Sequence, residues 1–465
     1  VSSRLARVHD RCSKLIVRLT ARMSVQGPGI MKGTPPLSSC AALFTILKAV
    51  IGGGVLVLPY AFSKVRLMIA LPALLVVALL VALGTYRLIQ CKILLRRGVA
   101  GSPELESAGS PGSPDGGVGP LGAISLQVLG RTGLFACTVA ALATQFGAGV
   151  AYTDVIIETL ARQVGIGKPW LRTALCSVFC LLSLIRGLNS LAWLSAVGLA
   201  VYAYIAVALI KFGICAVKAG TIMPLGNSFL PPRWAGIGRF LGTAIGAFEG
   251  IVVVQYVFEE MQLDNVAPFR AVLRDSYLVT IVIYSLLGGF GYVVYGDTLN
   301  VVIYENFPQD SVDVLICEVV LCIVLVISFM LQMYPIFHFL EEAAKAWAVN
   351  RKLRDDRDDT TTSSETTDDS QSESENAGVT GSTPLVAIGL RWSVVVLSAL
   401  AAVAVPNVET MINYVGAFGL SFLGLILPGM IHIKLRRSQL STMELLSDML
   451  LILFGLTAMV LAVVS

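Results

Sequence analysis

The sequence predicts an all-α polytopic membrane protein of about eleven transmembrane helices. Two inverted sets of five are followed by one more, and helices one and six are broken inside the bilayer. Three observations carry this. Of the 465 residues, 55% are hydrophobic and only 14% charged, against about 25% charged in a soluble domain. The apolar residues fall in runs of roughly the 20 residues that span a bilayer. Two of those runs, five apart, carry features that a plain span would lack. The net charge of +4 is too small to suggest a nucleic-acid binder, so the placement of the charges matters more than their sum.

Marked off by length, the spans fall near 39–63, 67–90, 133–160, 171–187, 191–216, 237–260, 274–295, 312–338, 390–406, 408–433 and 445–465. Those at 171–187 and 390–406 are short. The last runs into Ser465, and the chain starts at Val1 rather than Met, as expected of a processed or incomplete gene product. Residues 1–38 form a basic tail, with Arg4, Arg7, Arg11, Lys14, Arg18, Arg22 and Lys32 against the single acid Asp10. That composition suits a cytosolic arm and a transit peptide equally. Residues 98–122, rich in Gly, Ser and Pro, read as a flexible loop. Residues 350–385 read as a disordered cytoplasmic loop, because nine acids between Asp355 and Glu375 leave too little apolar surface to fold. Tail and loop are both candidates to engage cytosolic partners. Residues 39–465 form the transmembrane domain.

Lysine and arginine set the orientation. With the N-terminus in the cytoplasm, 24 of the 34 fall on the cytoplasmic side and nine on the other, and Lys48 remains inside the first span. The N-terminus is therefore expected to be cytoplasmic.

The first span contains Ile51-Gly52-Gly53-Gly54 followed by Pro59. Each glycine costs about 1 kcal/mol of helix stability relative to alanine, and the proline removes a backbone donor. A helix interrupted in mid-membrane is tolerated where its freed N–H and C=O groups line a cavity or meet a ligand. The sixth span carries Gly242, Gly246, Phe248, Glu249 and Gly250, with Glu249 near its middle. A bare carboxylate there costs at least a few kcal/mol, so an intramembrane acid points to function. The five-span spacing is where inverted repeats place their broken helices around a midplane site. The half-helix after Gly54 aims N–H groups and a positive dipole end at the gap, where a carboxylate docks. The Phe248–Gly250 break with Glu249 can receive an ammonium, so together they suit a zwitterion. Close helix packing accounts well for Gly242 and Gly246, but poorly for the triplet beside a proline.

No enzyme signature is present: there is no HExxH or GxSxG, and the glycine triplet is not followed by Gly-Lys-Ser/Thr. The nine cysteines show no CxxC or Cys/His spacing, so neither a metal site nor a disulfide framework is expected. No cofactor is implied. Cys176 and Cys180 share a face of an apolar helix and read as small buried residues. A channel would need a continuous polar stripe, whereas the polar positions here are isolated.

Lys48 to Phe62, KAVIGGGVLVLPYAF, resembles the first-helix motif of the amino acid/auxin permease family, K-x-x-I-G-x-G-x-L-x-L-P-x-A, and especially its proton-coupled and vacuolar amino-acid transporters. Further matches follow in order from about residue 40 to 433. Gln145-x-Gly147 with Tyr152 resembles the third helix. Gly242-Thr243-Ala244-Ile245 with Ala247-Phe248-Glu249-Gly250-Ile251 resembles the sixth. Gly291 to Asp297 with Asn306-Phe307-Pro308 resembles the end of the seventh and its loop. Ser328 with Leu331-Gln332-Met333-Tyr334-Pro335 resembles the eighth. Ala404-Val405-Pro406-Asn407, Gly416-Ala417-Phe418-Gly419 and Leu427-Pro428 resemble the ninth and tenth. The resemblance implies a LeuT-type 5+5 transporter of amino acids, commonly coupled to protons. Two departures bear on substrate choice and coupling: Tyr256 and Met330 stand where the family has prolines, and Phe258-Glu259-Glu260-Met261 where it has Glu-Asn-Glu-Met.

The expectation is thus a multi-pass carrier of neutral amino acids in the plasma or a vacuolar/lysosomal membrane, working by alternating access. Ile51, Gly52, Gly53 and Gly54 would bind the substrate carboxylate, Phe248, Glu249 and Gly250 the amino group, and Gln145 and Tyr152, seven apart on one helical face, would line the cavity. Proton coupling at Glu249 is favoured. Ser328 could serve a sodium ion, although such serines more often bond back to their own backbone. A sodium-coupled carrier and an amino-acid sensor that binds without flux are the alternatives. Lys48 either snorkels to the interface or serves a gate or ion pair. His338 and His432 read as interface residues, and His9 lies in the tail.

Overall fold

The structure, a computed structural model, describes residues 37–96, 119–185, 188–218, 231, 233–261, 266–308, 311–362, 384–404, 408–437 and 439–464. The basic tail up to residue 36 and the motif positions 405–407 lie outside the described residues. The architecture is all-helical. The first expected span is split: helix α1, Ser39–Val50, ends at the glycine triplet, one tight turn covers Gly53–Leu56, and α2, Leu58–Val65, restarts with Pro59 in its first turn. Pro is favourable there, because its missing N–H would have had no helical partner. Then come α3 (Leu67–Arg96), α4 (Gly119–Val164), α5 (Lys168–Leu182) and α6 (Leu188–Lys218). The sixth span is also split, into α7 (Ile237–Ala247) and α8 (Ile251–Glu260). Next are α9 (Val266–Tyr295), α10 (Val312–Thr362), α11 (Pro384–Ala404), α12 (Val408–Tyr414), α13 (Leu427–Leu435) and α14 (Thr442–Val464).

Among the described residues, nine segments are long and apolar enough to cross a membrane. The break in the first expected span leaves only the short apolar helix Ser39–Val50 there, and α5 is 15 residues long. Three boundaries differ from the sequence reading. α4 starts at Gly119, inside the expected 98–122 loop, and kinks at Gly130, whose φ of 78° turns the chain before the membrane run. α10 runs to Thr362, so the first part of the expected 350–385 loop is helical. Glu, Ala, Lys and Arg after residue 340 are strong helix formers and carry the helix past its apolar part. Between α12 and α13 the tenth span widens into π turns over Val415–Leu420 and Phe422–Ile426, which nothing in the hydropathy announced.

Burial separates centre from rim. In the most apolar window of Trp234–Glu260, 89% of residues are buried, against 28% in that of Thr442–Val464. On α14 the buried residues Asp448, Leu451, Gly455, Ala458 and Ala462 form one stripe at helical spacing. Leu446, Leu453 and Val460 on its other faces are exposed, as expected of residues meeting lipid. Buried ion pairs tie helix ends together: Arg391 on α11 bonds Glu341 on α10 at 2.6 Å and also donates to the Ser183 carbonyl beyond α5. Lys92 on α3 meets Glu259 on α8 at 2.5 Å.

Candidate functional site

The two breaks face one another. α1 ends at Val50 because Gly52 takes an extended conformation (φ −90°, ψ −161°). α7 ends at Ala247 because Gly250, at φ +120°, turns the chain before α8. Only glycine adopts that φ without strain, and a Cβ at Gly250 would also come within 2.9 Å of the Ala49 carbonyl carbon. At the breaks the Val50 and Ala247 carbonyls both face the Tyr284 hydroxyl, at 2.8 and 2.6 Å, and share its one proton, while Val50 also accepts the Gly52 N–H at 2.9 Å. Tyr284 on α9 therefore clamps the breaks together. A tyrosine within an apolar seventh span gave no pattern to single it out from the sequence.

From α4, Tyr152 reaches into the gap. Its hydroxyl accepts the Gly53 N–H at 3.3 Å and donates to Glu249 Oε2 at 2.8 Å. Tyr152 and Glu249 are 2% and 5% exposed, and Glu249 Oε1 is buried with no hydrogen-bond partner. The glycine triplet serves this approach: side chains at Gly52 and Gly53 would overlap the Tyr152 hydroxyl and ring, and one at Gly54 would come within 2.7 Å of Ala247 Cα. Phe248 is buried with its ring centroid 5.0 Å from that of Tyr284. Gly54, Gly147, Ala148, Ala151, Gly246, Ile412 and Val415 join Tyr152 and Glu249 around a small cavity. Its walls are small and apolar apart from one acid and one phenol.

The expected residues distribute unevenly. Gly52, Gly53, Gly54, Tyr152 and Glu249 converge, and Ile51 is buried at the end of α1. Gln145 does not join them: two helical turns from Tyr152, it lines a second cavity with Thr138, Tyr256 and Pro335. Gly242 and Gly246 pack as expected, since Cβ atoms there would strike Asn413 and Ile412. Lys48 does not snorkel. It is 1% exposed and its ammonium donates to Ser328 Oγ on α10, while Ser328 bonds back to the Val324 carbonyl at 3.0 Å. His432 is not an interface residue either. Fully buried, its Nδ1 meets Asp448 Oδ2 at 2.5 Å, and Arg87 Nε lies 3.3 Å from Asp448 Oδ1. The sequence hid this cluster because its members are 345 and 16 residues apart. His338 packs on Tyr256 at 5.4 Å.

A family profile described as transmembrane amino acid transporter protein matches residues 36–465. The chain is 25% identical to amino acid transporter AVT3B of Arabidopsis thaliana, over 92% of each chain. It is 25% identical to the proton-coupled amino acid transporter-like protein pathetic of Drosophila melanogaster, over 87% of this chain and 79% of that one. Its similarity to vacuolar amino acid transporter 4 of Saccharomyces cerevisiae is 24% identity over 92% of this chain and 57% of the longer relative. Among solved structures it resembles Mhp1, a nucleobase-cation-symport-1 family transporter, with TM-score 0.55 and 13% identity over 94% of each chain. It also resembles a manganese transporter of Eremococcus coleocola, with TM-score 0.53 and 10% identity over 92% and 94%.

Proposed function

The chain belongs to the family of transmembrane amino acid transporters, and from that membership we propose that it carries small neutral amino acids by alternating access, coupled to protons through Glu249. One observation carries the reading: two broken helices meet around a small apolar cavity that holds a single carboxylate and a backbone N–H, both bridged by Tyr152. The N–H groups around Gly53 and Gly54, at the positive end of the following turn and helix, suit a carboxylate. The backbone of the break at Phe248 and Glu249 suits an ammonium, the Gly250 carbonyl being taken by the Val254 N–H. Walls of glycine, alanine, valine and isoleucine suit a small uncharged side chain, and they offer an anionic one no partner.

The Tyr152 hydroxyl spans both ends of this site. Substrate would displace it from Gly53, leaving Glu249 with one oxygen still held and Oε1 free for a proton. A bare carboxylate among apolar walls costs at least a few kcal/mol, so protonation of Oε1 favours closure of the loaded carrier. When the carrier returns empty, the hydrogen bond from the Tyr152 hydroxyl offsets part of the cost of the ionised acid. A zwitterion and a proton then move together, and one positive charge crosses per cycle. The spacing of the breaks supports a 5+5 inverted repeat, and the lysine and arginine bias supports a cytoplasmic N-terminus.

The test is uptake of a labelled amino-acid panel into proteoliposomes, with and without an imposed proton gradient in sodium-free buffer. Accumulation of alanine-sized neutral substrates that a protonophore collapses is expected. Saturable binding without flux under proton or sodium gradients would instead identify a sensor.

A further inference from the structure

The cavity that Gln145 lines adjoins the cavity of Glu249. On α4 the second cavity is walled by Cys137, Thr138, Ala141, Leu142 and Gln145, and the first resumes at Gly147 and Ala148. Across from α4, Glu249 faces the first cavity and Val252, three residues on, the second. Each step is within about one helical turn, or 5.4 Å. The second cavity lies toward the Gly119 end of α4 and the Glu260 end of α8, the side expected to face the cytoplasm from the lysine and arginine bias. Its floor, Pro120, Leu121 and Gly122, comes from beyond the Gly130 kink. A Cβ at Gly130 would meet nothing within 4 Å, so the floor has room to turn about this glycine while the membrane part of α4 stays in place.

Most of the wall is apolar, yet Gln145 Nε2 and Thr138 Oγ1 are buried in it with no hydrogen-bond partner among the described residues, and Gln145 is 2% exposed. On α10, Gln332 lies one turn before the lining residue Ile336, on the same face, and its buried Oε1 is likewise unpartnered among the described residues. Stranding buried donors and acceptors is costly, and leucine would fill the place of Gln145 without that cost. An amide N–H and a hydroxyl suit a carboxylate, and an amide oxygen suits an ammonium. We propose that the second cavity is a release station for the substrate. As the zwitterion leaves the two breaks, its carboxylate passes to the Gln145 amide and the Thr138 hydroxyl, its ammonium passes to Gln332 Oε1, and the floor at Pro120–Gly122 opens last. All three partners are neutral, so the seat is weaker than the first and lets go. The proposal rests on the transport reading above.

The test uses the full chain, purified and reconstituted, with alanine as the probe, as wild type, Gln145→Leu, Gly53→Leu and the double variant. Gln145→Leu keeps the bulk and removes the amide. Its affinity for alanine in detergent is expected to stay within about twofold of wild type, while proton-driven uptake falls about tenfold. Its unfolding midpoint should rise, because the stranded amide is gone; a side chain that merely packs would lower midpoint and uptake together. Cys137 lines the same cavity and is 1% exposed, so its modification by N-ethylmaleimide reports whether the cavity is filled, with Cys137→Ser marking its share of the label. In Gly53→Leu, which lacks the first site, excess alanine should still slow modification of Cys137 severalfold, and in the double variant it should not. Wild-type uptake by Gln145→Leu overturns the proposal. So does a midpoint that falls together with uptake, and so does a Cys137 in Gly53→Leu whose modification ignores alanine. If Gln145→Leu does not fold, the labelling of Gly53→Leu still decides. Absence of flux in every protein, with Cys137 still protected, would overturn the transport reading alone.

Discussion

At the scale of single residues, Tyr152 and Glu249 act as a pair, and their substitutions should fail differently. Tyr152→Phe removes the donor to Glu249 and the acceptor for Gly53. Leaving such buried groups unsatisfied in the empty site costs about 1–3 kcal/mol, so the unfolding midpoint should drop while KM falls, because substrate no longer has to displace the hydroxyl from Gly53. Glu249→Gln keeps a polar side chain but cannot exchange a proton. It should abolish pH-driven accumulation while preserving exchange of labelled for unlabelled substrate across the membrane; unchanged accumulation would remove Glu249 from the coupling step. Gly53→Leu forces a side chain into the Tyr152 ring, since even its Cβ would lie 2.7 Å from Cε1. Substrate binding should be lost with expression intact.

At the scale of elements, the breaks are held open by partners from other helices. The Tyr284 hydroxyl on α9 faces one carbonyl from each break. Tyr284→Phe should remove the hydroxyl donor of the Ala247 carbonyl, while Val50 keeps the Gly52 N–H, and lower stability by about 1–3 kcal/mol, read as a lower unfolding midpoint in detergent with Glu249 and Tyr152 untouched. At the rim, α14 is docked by its small-residue stripe and by Asp448, buried between Arg87 of α3 and His432 of α13. Asp448→Ala would remove the buried acceptor that faces His432 Nδ1 and Arg87 Nε, while Arg87 keeps Glu444, Gln90 and Ser447. Losing that buried acceptor costs about 1–3 kcal/mol, so this variant should unfold at a lower temperature than Leu453→Ala, on the lipid side of the same helix.

At the scale of the whole molecule, the parts with the least lipid contact are the parts that carry the site. The split sixth span is nearly enclosed and α14 is mostly bare, as expected if the outer helices form a shell around broken ones that must rearrange. The reading of a zwitterion carried with a proton predicts an inward current on adding neutral substrate at acidic external pH. Solid-supported membrane recordings in sodium-free solution check it, and electroneutral uptake would contradict the stoichiometry.

The sequence by itself determined the class of molecule and the places where its helices break. Hydropathy depends on composition over roughly 20 residues, and a Gly-Gly-Gly-Pro region or a mid-span acid is a local fact that no packing can hide. Resemblance of ordered short motifs then supplied the family. The sequence was silent where the outcome depended on which helices became neighbours. That Gln145 lines a separate cavity from Tyr152, that Tyr284 bridges two breaks, that Lys48 is spent on Ser328 280 residues away and that His432 is fully buried were decided by tertiary packing. A buried polar group takes the partner that the fold brings within about 3 Å, and that pairing is set by the arrangement of helices rather than by distance along the chain.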